Sequence, residues 1–319
     1  MDSGVLRDLN RHAAEIGLDK RLVQGAGGNL SGKDGDLVWV KASGTRLAEA
    51  EDRPIFVGVD GPRAREEVVQ VEDLRHVVVE LADERASRPS IETALHVLLP
   101  HRFVFHVHAV GAIAAGVRQE PGDLLGRLDA VAPTSVVPYA KPGIGLARAV
   151  LAAVEQAGES AEMVVLLGNH GLLTAADTAD RARVLIDGVE DVLRQRRGEP
   201  VLGPDDDPAD RTVLAPAGSV DAAGARFLTG GVLTPDEAVF LGSRPFADAP
   251  GGGASAWISA DGAVHVDETM SEDAREIARS MVEIAALAEP AAPVRYLDEH
   301  EVAALVDWEA EKWRRGMER

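Results

Sequence analysis

The sequence predicts a layered α/β domain over residues 1–198, followed by a linker and an α+β extension over residues 199–319. Helical and strand-like segments alternate as far as residue 197, which is the pattern of an α/β domain. A stretch rich in proline, glycine and aspartate, RRGEPVLGPDDDPADR, comes next and is typical of a linker or exposed loop. The remainder combines a hairpin-like sequence with two helical segments.

In the α/β part, the spacing of apolar residues distinguishes helices from strands. Residues 4–18 repeat apolar side chains at helical spacing, and LVWV at 37–40 is typical of a strand that follows a turn, GAGGNLSGKDGD. The unbroken apolar run MVVLLG at 163–168 predicts a buried strand. Further helices are predicted over 73–87, 91–99, 111–117, 145–157 and 177–196, and further strands over 103–108 and 135–139.

The extension has its own signals. WISADGAVHV predicts a hairpin, because Asp261-Gly262 is a favoured pair for a two-residue turn. Helices are predicted over 271–288 and 298–315. In the second of these, Leu305, Trp308 and Trp313 are interpreted as packing anchors.

Composition excludes several classes of protein. A net charge of -20 argues against nucleic-acid binding and against anionic membranes, since both need a basic surface. No stretch of about 18 apolar residues exists to span a membrane, and the N-terminus lacks an apolar signal core. These features predict a cytoplasmic protein. The chain contains no cysteine, so any metal ion must be held by histidine, aspartate or glutamate.

Three histidines predict a metal site. His106 and His108 are two residues apart in an apolar strand, so their side chains point to the same face. His170 directly follows the buried strand MVVLLG, where a loop often carries function. Three imidazoles and one open position are the usual ligand set of a catalytic zinc ion. The alternative is that the two strand histidines are satisfied polar residues at a strand end.

Glu92 is the candidate acid/base. It opens a helix after SRPS, and a carboxylate beside a polarised substrate can take or return a proton. A glutamate at this position also simply offsets the helix dipole, which is the alternative interpretation. His96 lies one turn further along and is interpreted, with the remaining histidines, as structural or solvated.

The glycine-rich segment at 25–31 predicts an anion site. Glycines let backbone N–H groups approach a phosphate closely, although a plain flexible turn is equally typical of such a segment. It is not a dinucleotide fingerprint, because Leu30 stands where a glycine is needed, and it is not a Walker loop. Lys41, Ser43 and Gly44 form a second loop with a cation, a hydroxyl and an accessible N–H, and Ser90 adds a further hydroxyl.

Two other routes to catalysis are not expected. A Schiff-base enzyme needs a buried lysine, and no lysine here lies in an apolar run. The serine elbow GxSxG is also absent.

Five segments, in the order GAGGNLSG, VWVKASG, RPSIE, HVHAV and LLGNHGLL, resemble the class II aldolase/adducin family over residues 5–197. The resemblance implies a three-layer α/β/α sandwich around a mixed, largely antiparallel sheet, often in a tetramer. It implies a zinc or other divalent ion on His106, His108 and His170, and Glu92 as the catalytic residue. Such a donor set accepts zinc, and also manganese, cobalt or iron. The family's phosphate site falls on Gly28, Asn29, Ser31, Ser43, Gly44 and Ser90.

Within the family, VKASG, SIETALHVLLPHR, PYAKPG and YLDEHEVAALVDWEAEKWR are most similar to the aldolase portion of bifunctional rhamnulose-1-phosphate aldolase/alcohol dehydrogenase proteins. The dehydrogenase portion is expected to be missing, because the tail has no nucleotide-binding glycine fingerprint. The segment after residue 200 resembles the family's accessory region.

The resemblance implies cleavage of a ketose phosphate, of the rhamnulose-1-phosphate type, to dihydroxyacetone phosphate and an aldehyde through a metal-bound enediolate. Epimerases, dehydratases and decarboxylases of sugar phosphates or sugar acids share this scaffold, and the Lys41 loop resembles the IKPSG of ribulose-phosphate 4-epimerases. The anion site would also accept a carboxylate. Adducin-like members, which lose the metal and act as binding modules, are the third alternative.

Overall fold

A computed structural model of the chain describes residues 4–68, 74–80, 88–118, 124–158, 160–194, 213–288 and 293–307. Its central sheet is built from eight strands: β1 (Asn29–Asp34), β2 (Leu37–Lys41), β3 (Phe56–Asp60), β4 (Val78–Glu80), β5 (Phe103–Val107), β6 (Thr134–Val137), β7 (Met163–Leu167) and β8 (Gly171–Ala176). Their order is β4-β3-β2-β1-β5-β8-β7-β6. Among the strand pairs described for this sheet, only β6 and β7 are parallel, so the predicted mixed, largely antiparallel sheet is confirmed.

Helices cover both faces of this sheet. One face packs against α1 (Gly4–Leu18), α4 (Val110–Gly116), α5 (Leu124–Leu128) and α7 (Ala179–Arg194), and the other against α2 (Gly61–Glu67), α3 (Thr93–Leu98) and α6 (Ile144–Ala157). Strand side chains alternate between the two cores, so that Phe103 and Phe105 of β5 face α1 while Val104 faces α3. The three-layer sandwich is therefore confirmed.

The extension has its own four-stranded sheet, separate from the central sheet of the sandwich. It contains β9 (Val213–Ser219), α8 (Ala222–Thr229), α9 (Pro235–Leu241), β10 (Phe246–Ala247), β11 (Ala256–Ile258), β12 (Ala263–Val266), α10 (Glu272–Leu287) and α11 (Glu299–Val306). The sheet order is β10-β11-β12-β9, and β11 and β12 form the predicted hairpin. An apolar core joins α10 to the outer face of α4. The extension is thus packed against the sandwich next to the end of β5.

Two predictions about local structure are wrong. The segment 73–87 was expected to be helical, but within its described part Arg75–Val77 form one 3-10 turn and Val78–Glu80 form β4. Three consecutive valines, 77–79, favour an extended edge strand, and Val78 pairs with Val59 of β3. The turn predicted at GAGGNLSGKDGD is a strand from Asn29 onward, because β2 and β5 both offer it pairing partners.

Several predictions fall partly outside the described residues. These include the boundary between residues 198 and 199, the linker, Trp308, Trp313 and the ends of the helices predicted over 177–196 and 298–315. Leu305 is 1% exposed and packs in a small core with residues of α9, as expected of a packing anchor. Within the described ranges, no helix is both long and apolar enough to cross a membrane.

Candidate metal centre

Three imidazoles meet at one end of the central sheet. His106 is in β5, His108 stands just beyond the end of that strand, and His170 lies in the short turn between β7 and β8. Their ring centroids are 4.8 to 5.1 Å apart. β8 pairs with both β5 and β7, and this pairing brings the two distant sequence motifs together.

Hydrogen bonds orient two of these rings. The Nδ1 of His106 lies 3.0 Å from the carbonyl oxygen of Leu172, and the Nδ1 of His108 lies 2.7 Å from Oδ2 of Asp236. Both partners only accept, so both Nδ1 atoms carry the hydrogen. The two Nε2 atoms are nevertheless 3.1 Å apart. In neutral rings their lone pairs would face each other, an arrangement that a proton or a cation between them makes favourable.

Glu92 completes the cluster at the residue before α3. Its Oε2 accepts a hydrogen bond of 2.8 Å from the Asn29 amide and lies 3.4 Å from Nε2 of His106. Its Oε1 lies 3.4 Å from Nε2 of His170 and has no hydrogen-bond partner among the described residues. One donor atom from each of the four residues lies within 4.8 Å of the others.

Electrostatics make this donor set suitable for a divalent cation. Burial lowers the pKa of His106, and it lowers the pKa of His170 to about 3, so both rings stay neutral and keep a lone pair. Burial would raise the pKa of Glu92, but attraction to the surrounding imidazoles in their protonated form, as at low pH, and the Asn29 hydrogen bond together lower it to about 2. A carboxylate beside buried imidazoles has the charge and the donor atoms of a zinc-type site.

His96 supports Glu92, a role that the sequence interpretation missed. The ring is fully buried, with Nδ1 2.7 Å from the Ser31 hydroxyl and Nε2 against Oδ1 of Asn29. Because an amide oxygen only accepts, His96 donates from Nε2 and accepts the Ser31 proton at Nδ1. Burial lowers the pKa of His96 to about 3, which keeps this arrangement at neutral pH. The Asn29 amide is therefore held with its NH2 toward Glu92. The spacing of Glu92 and His96, one helical turn, was the available signal.

The predicted anion residues lie around one pocket, with one exception. The pocket encloses about 440 Å³ including its open mouth, and Glu92, His108 and His170 are in its wall. Ser31 does not line it, because that side chain is buried in β1 against His96. The predicted residues that do line it are Gly28, Asn29, Lys41, Ser43, Gly44 and Ser90.

Lys41 connects the two loops of this pocket. Its Nζ donates to the carbonyl oxygens of Ala26 and Thr45, at 2.7 and 2.6 Å, and the residue is 2% exposed. The expectation that no lysine lies in an apolar run is therefore wrong, because Lys41 is the buried last residue of the apolar strand β2. Both contacts require N–H groups on Nζ, so the lysine serves as a hydrogen-bond donor between the glycine loop and the Ser43 loop.

Gly171 allows the close approach of β8 to the end of β5 beside His108. A Cβ atom there would lie 2.3 Å from the Val107 carbonyl oxygen and 3.2 Å from Cα of His108. We expect Gly171→Ala to displace the strand end, lower the melting temperature by several degrees and reduce metal content. Thermal unfolding and metal analysis measure both. Gly145→Ala is the matched control, because nothing lies within 4 Å of its added Cβ. Equal melting temperatures of the two variants would contradict the packing argument.

Comparisons with known proteins agree with the motifs. The sequence pattern of a family described as Class II Aldolase and Adducin N-terminal domain matches residues 9–196. A Bacillus subtilis (strain 168) protein named uncharacterized oxidoreductase YuxG is 30% identical over 183 residues, which is 52% of this chain and 25% of that protein. This chain therefore spans about a quarter of the curated relative that it matches.

Solved structures give similar matches. The N-terminal class II aldolase domain of a conserved Thermoplasma acidophilum protein is 26% identical, with a TM-score of 0.49, and the match covers 61% of this chain and 95% of that one. An L-fuculose 1-phosphate aldolase is 25% identical, with a TM-score of 0.45, and the match covers 64% of this chain and 92% of that one.

Proposed function

This chain belongs to the class II aldolase and adducin N-terminal domain family, and from that premise we propose that it is a metal-dependent aldolase. The proposed reaction cleaves a ketose phosphate, of the rhamnulose-1-phosphate type, to dihydroxyacetone phosphate and an aldehyde. The observation that carries the proposal is the convergence of Glu92 with three imidazoles, two of which, His108 and His170, lie with Glu92 in the wall of a pocket lined by two glycine-containing loops. Residues 1–198 would be the catalytic domain and residues 199–319 the linker and accessory region.

His106, His108 and His170 would hold the ion, zinc in the first instance, with manganese, cobalt or iron as alternatives. A bound divalent ion supplies positive charge where the substrate's carbonyl oxygen becomes negative. Glu92 would exchange a proton with the carbon next to that carbonyl. Its Oε1 is the atom for this step, because Oε2 is already engaged by Asn29 while Oε1 has no partner in the described part of the chain.

The two loops would bind the phosphate. Gly28 and Gly44 line the pocket and would offer backbone N–H groups, Ser43 and Ser90 would offer hydroxyls, and Lys41 donates to both loops. Although the chain is acidic overall, these hydrogen-bond donors would surround the substrate's phosphate in the pocket. Family resemblance adds the proposal of a homotetramer, which light scattering of the purified protein tests.

Ser43→Ala is expected to weaken substrate binding more than catalysis. A hydrogen bond to a charged group contributes about 1.5–3 kcal/mol, so KM for the phosphorylated ketose should rise by roughly tenfold or more, with kcat little changed. Steady-state kinetics with the phosphorylated sugar and its phosphate-free analogue measure the effect. An equal rise in KM for both sugars would show that Ser43 does not contact the phosphate.

The reaction is tested by product analysis. The purified enzyme is incubated with rhamnulose 1-phosphate, fuculose 1-phosphate and ribulose 5-phosphate, and dihydroxyacetone phosphate and aldehyde are quantified. Stoichiometric release of both from a ketose 1-phosphate is expected. Epimer without release would instead assign the epimerase alternative, which the resemblance of the Lys41 loop favours, and loss of water or carbon dioxide would assign a dehydratase or decarboxylase.

A further inference from the structure

One wall of the pocket comes from outside the family match. Helix α9 begins beside the three histidines, with Thr234 capping it through a 3.2 Å hydrogen bond from Glu237 N and Pro235 in its first turn. Asp236, the next residue, lines the pocket and is 8% exposed. The family pattern ends at residue 196, so Asp236 belongs to the extension.

We propose that Asp236 is a positioning residue for the metal ligand His108, and that the extension therefore completes the metal centre. The inference rests on the proposed function in that it takes the imidazoles as ligands. The Oδ2 of Asp236 lies 2.7 Å from Nδ1 of His108. A carboxylate in that position fixes the ring orientation, directs Nε2 toward the ion and strengthens Nε2 as an electron donor.

His108 needs such a partner more than His106 does. His106 is inside β5, and its Nδ1 is already held by the backbone carbonyl of Leu172 at 3.0 Å. His108 stands beyond the end of the strand, where the sheet supplies no equivalent carbonyl contact to its ring among the described residues. The side chain of Asp236 supplies the acceptor in its place.

The glycine loop leaves room for this pair. A Cβ atom at Gly27 would lie 2.9 Å from Nδ1 of His108 and 3.2 Å from Oδ2 of Asp236. The backbone of the loop therefore closes directly over the hydrogen bond. Its enclosure reduces the access of water, which strengthens a charge-assisted hydrogen bond.

Other contacts fix the extension at the same edge of the sandwich. The amide of Asn169, next to His170, donates to the carbonyl oxygens of Leu233 and Arg295, both at 2.8 Å. The backbone N–H of Gly25 donates to Glu276 of α10 at 2.7 Å, and Arg46 contacts the same glutamate. The extension that carries Asp236 is thus bound to the loops on both sides of the metal centre, through the segment before α9 on one side and through α10 on the other.

The test compares metal affinity in the full-length chain. Zinc and cobalt dissociation constants are measured by chelator competition for the wild type, Asp236→Ala and Asp236→Asn, and the Co²⁺ absorption spectrum reports the ligand geometry. We expect Asp236→Ala to weaken metal binding by about 10- to 100-fold. Asp236→Asn keeps an acceptor but loses the charge, so its affinity should fall less. Glu272→Gln is the charge control, because this exposed residue of the extension opens α10 without contacting His108, and its affinity should be unchanged.

The outcomes separate this inference from the proposed function. If the wild type binds no divalent ion, the metal-dependent function itself is wrong. If the wild type binds an ion and both Asp236 variants bind it equally well with unchanged spectra, Asp236 only fastens the extension and the inference is wrong. If Asp236→Ala does not fold, the near-isosteric Asp236→Asn variant tests the inference. Weaker metal affinity together with an unchanged melting temperature of the metal-free protein would support the positioning role.

Discussion

Replacing His106 with alanine is expected to remove both the bound divalent ion and turnover. The ring is fully buried at the centre of the cluster, with Nε2 3.1 Å from that of His108 and 3.4 Å from the Glu92 carboxylate. Two remaining imidazoles make a weaker chelate, and the charge that an ion supplies to the substrate oxygen contributes several kcal/mol to catalysis. Activity should therefore fall by about a thousandfold or more, and metal analysis should find less than one-tenth of the wild-type content.

His101→Ala provides the control for this variant. His101 is also a buried histidine with a carbonyl partner, the oxygen of Ser160 at 2.8 Å, but it lies outside the metal cluster. Its replacement should affect stability while leaving metal content and kcat close to those of the wild type. Full activity of metal-free His106→Ala protein would disprove the metal-dependent function and return the adducin-like binding module to consideration.

The sequence predicts those parts of the site whose arrangement depends only on residues close together in the chain. The period of two in β5 places His106 and His108 on one side, and the apolar run before His170 marks the end of another strand. Each inference needs only a few neighbouring residues. The family resemblance implies that the two motifs form one site, and in the structure the ring centroid of His170 lies 4.8 Å from that of His106 and 5.1 Å from that of His108.

Asp236, by contrast, is not recognisable from the sequence, because it is far from His108 along the chain and lies after a linker. Its position depends on how the extension docks on α4 and Asn169. The prediction of a turn at the Asn29 segment is wrong for a related reason. Its glycines and polar residues suggest a turn, whereas pairing with β2 and β5 makes it a central strand. In the Asn29 segment strand pairing overrode local propensity, and at Asp236 the contact depends on residues that are distant in sequence.

The structure also changes what the glycine loop means. The resemblance implies phosphate binding by Asn29 and Ser31, but of the two only Asn29 lines the pocket. Both residues, however, belong to the hydrogen-bonded series that ends on Glu92. Under the proposed function, the loop would therefore link anion binding to the orientation of the Glu92 carboxylate, since the same backbone segment carries residues of both kinds.

Glu92→Gln is expected to separate metal binding from proton transfer. Glutamine has the shape of glutamate, and its carbonyl oxygen can still accept the hydrogen bond from Asn29 that Glu92 Oε2 now accepts at 2.8 Å. The three imidazoles are unchanged, so metal content should remain near that of the wild type. The amide cannot accept a proton as the Oε1 of the carboxylate can, and kcat should fall by about 100- to 10,000-fold. Metal analysis and steady-state kinetics on the same preparation measure both quantities.

Glu92→Asp is the matched variant, because it restores a carboxylate at a shorter reach. It should recover part of the lost kcat if a proton-accepting oxygen is what glutamine lacks, and none if the loss comes from a disturbed Asn29 contact. Loss of metal from Glu92→Gln would instead make Glu92 a fourth ligand, consistent with its oxygens lying 3.4 Å from two of the imidazole nitrogens. His106→Ala is expected to lose both metal and turnover, whereas Glu92→Gln is expected to lose turnover alone. Together the two variants would show that metal binding and proton transfer depend on different side chains.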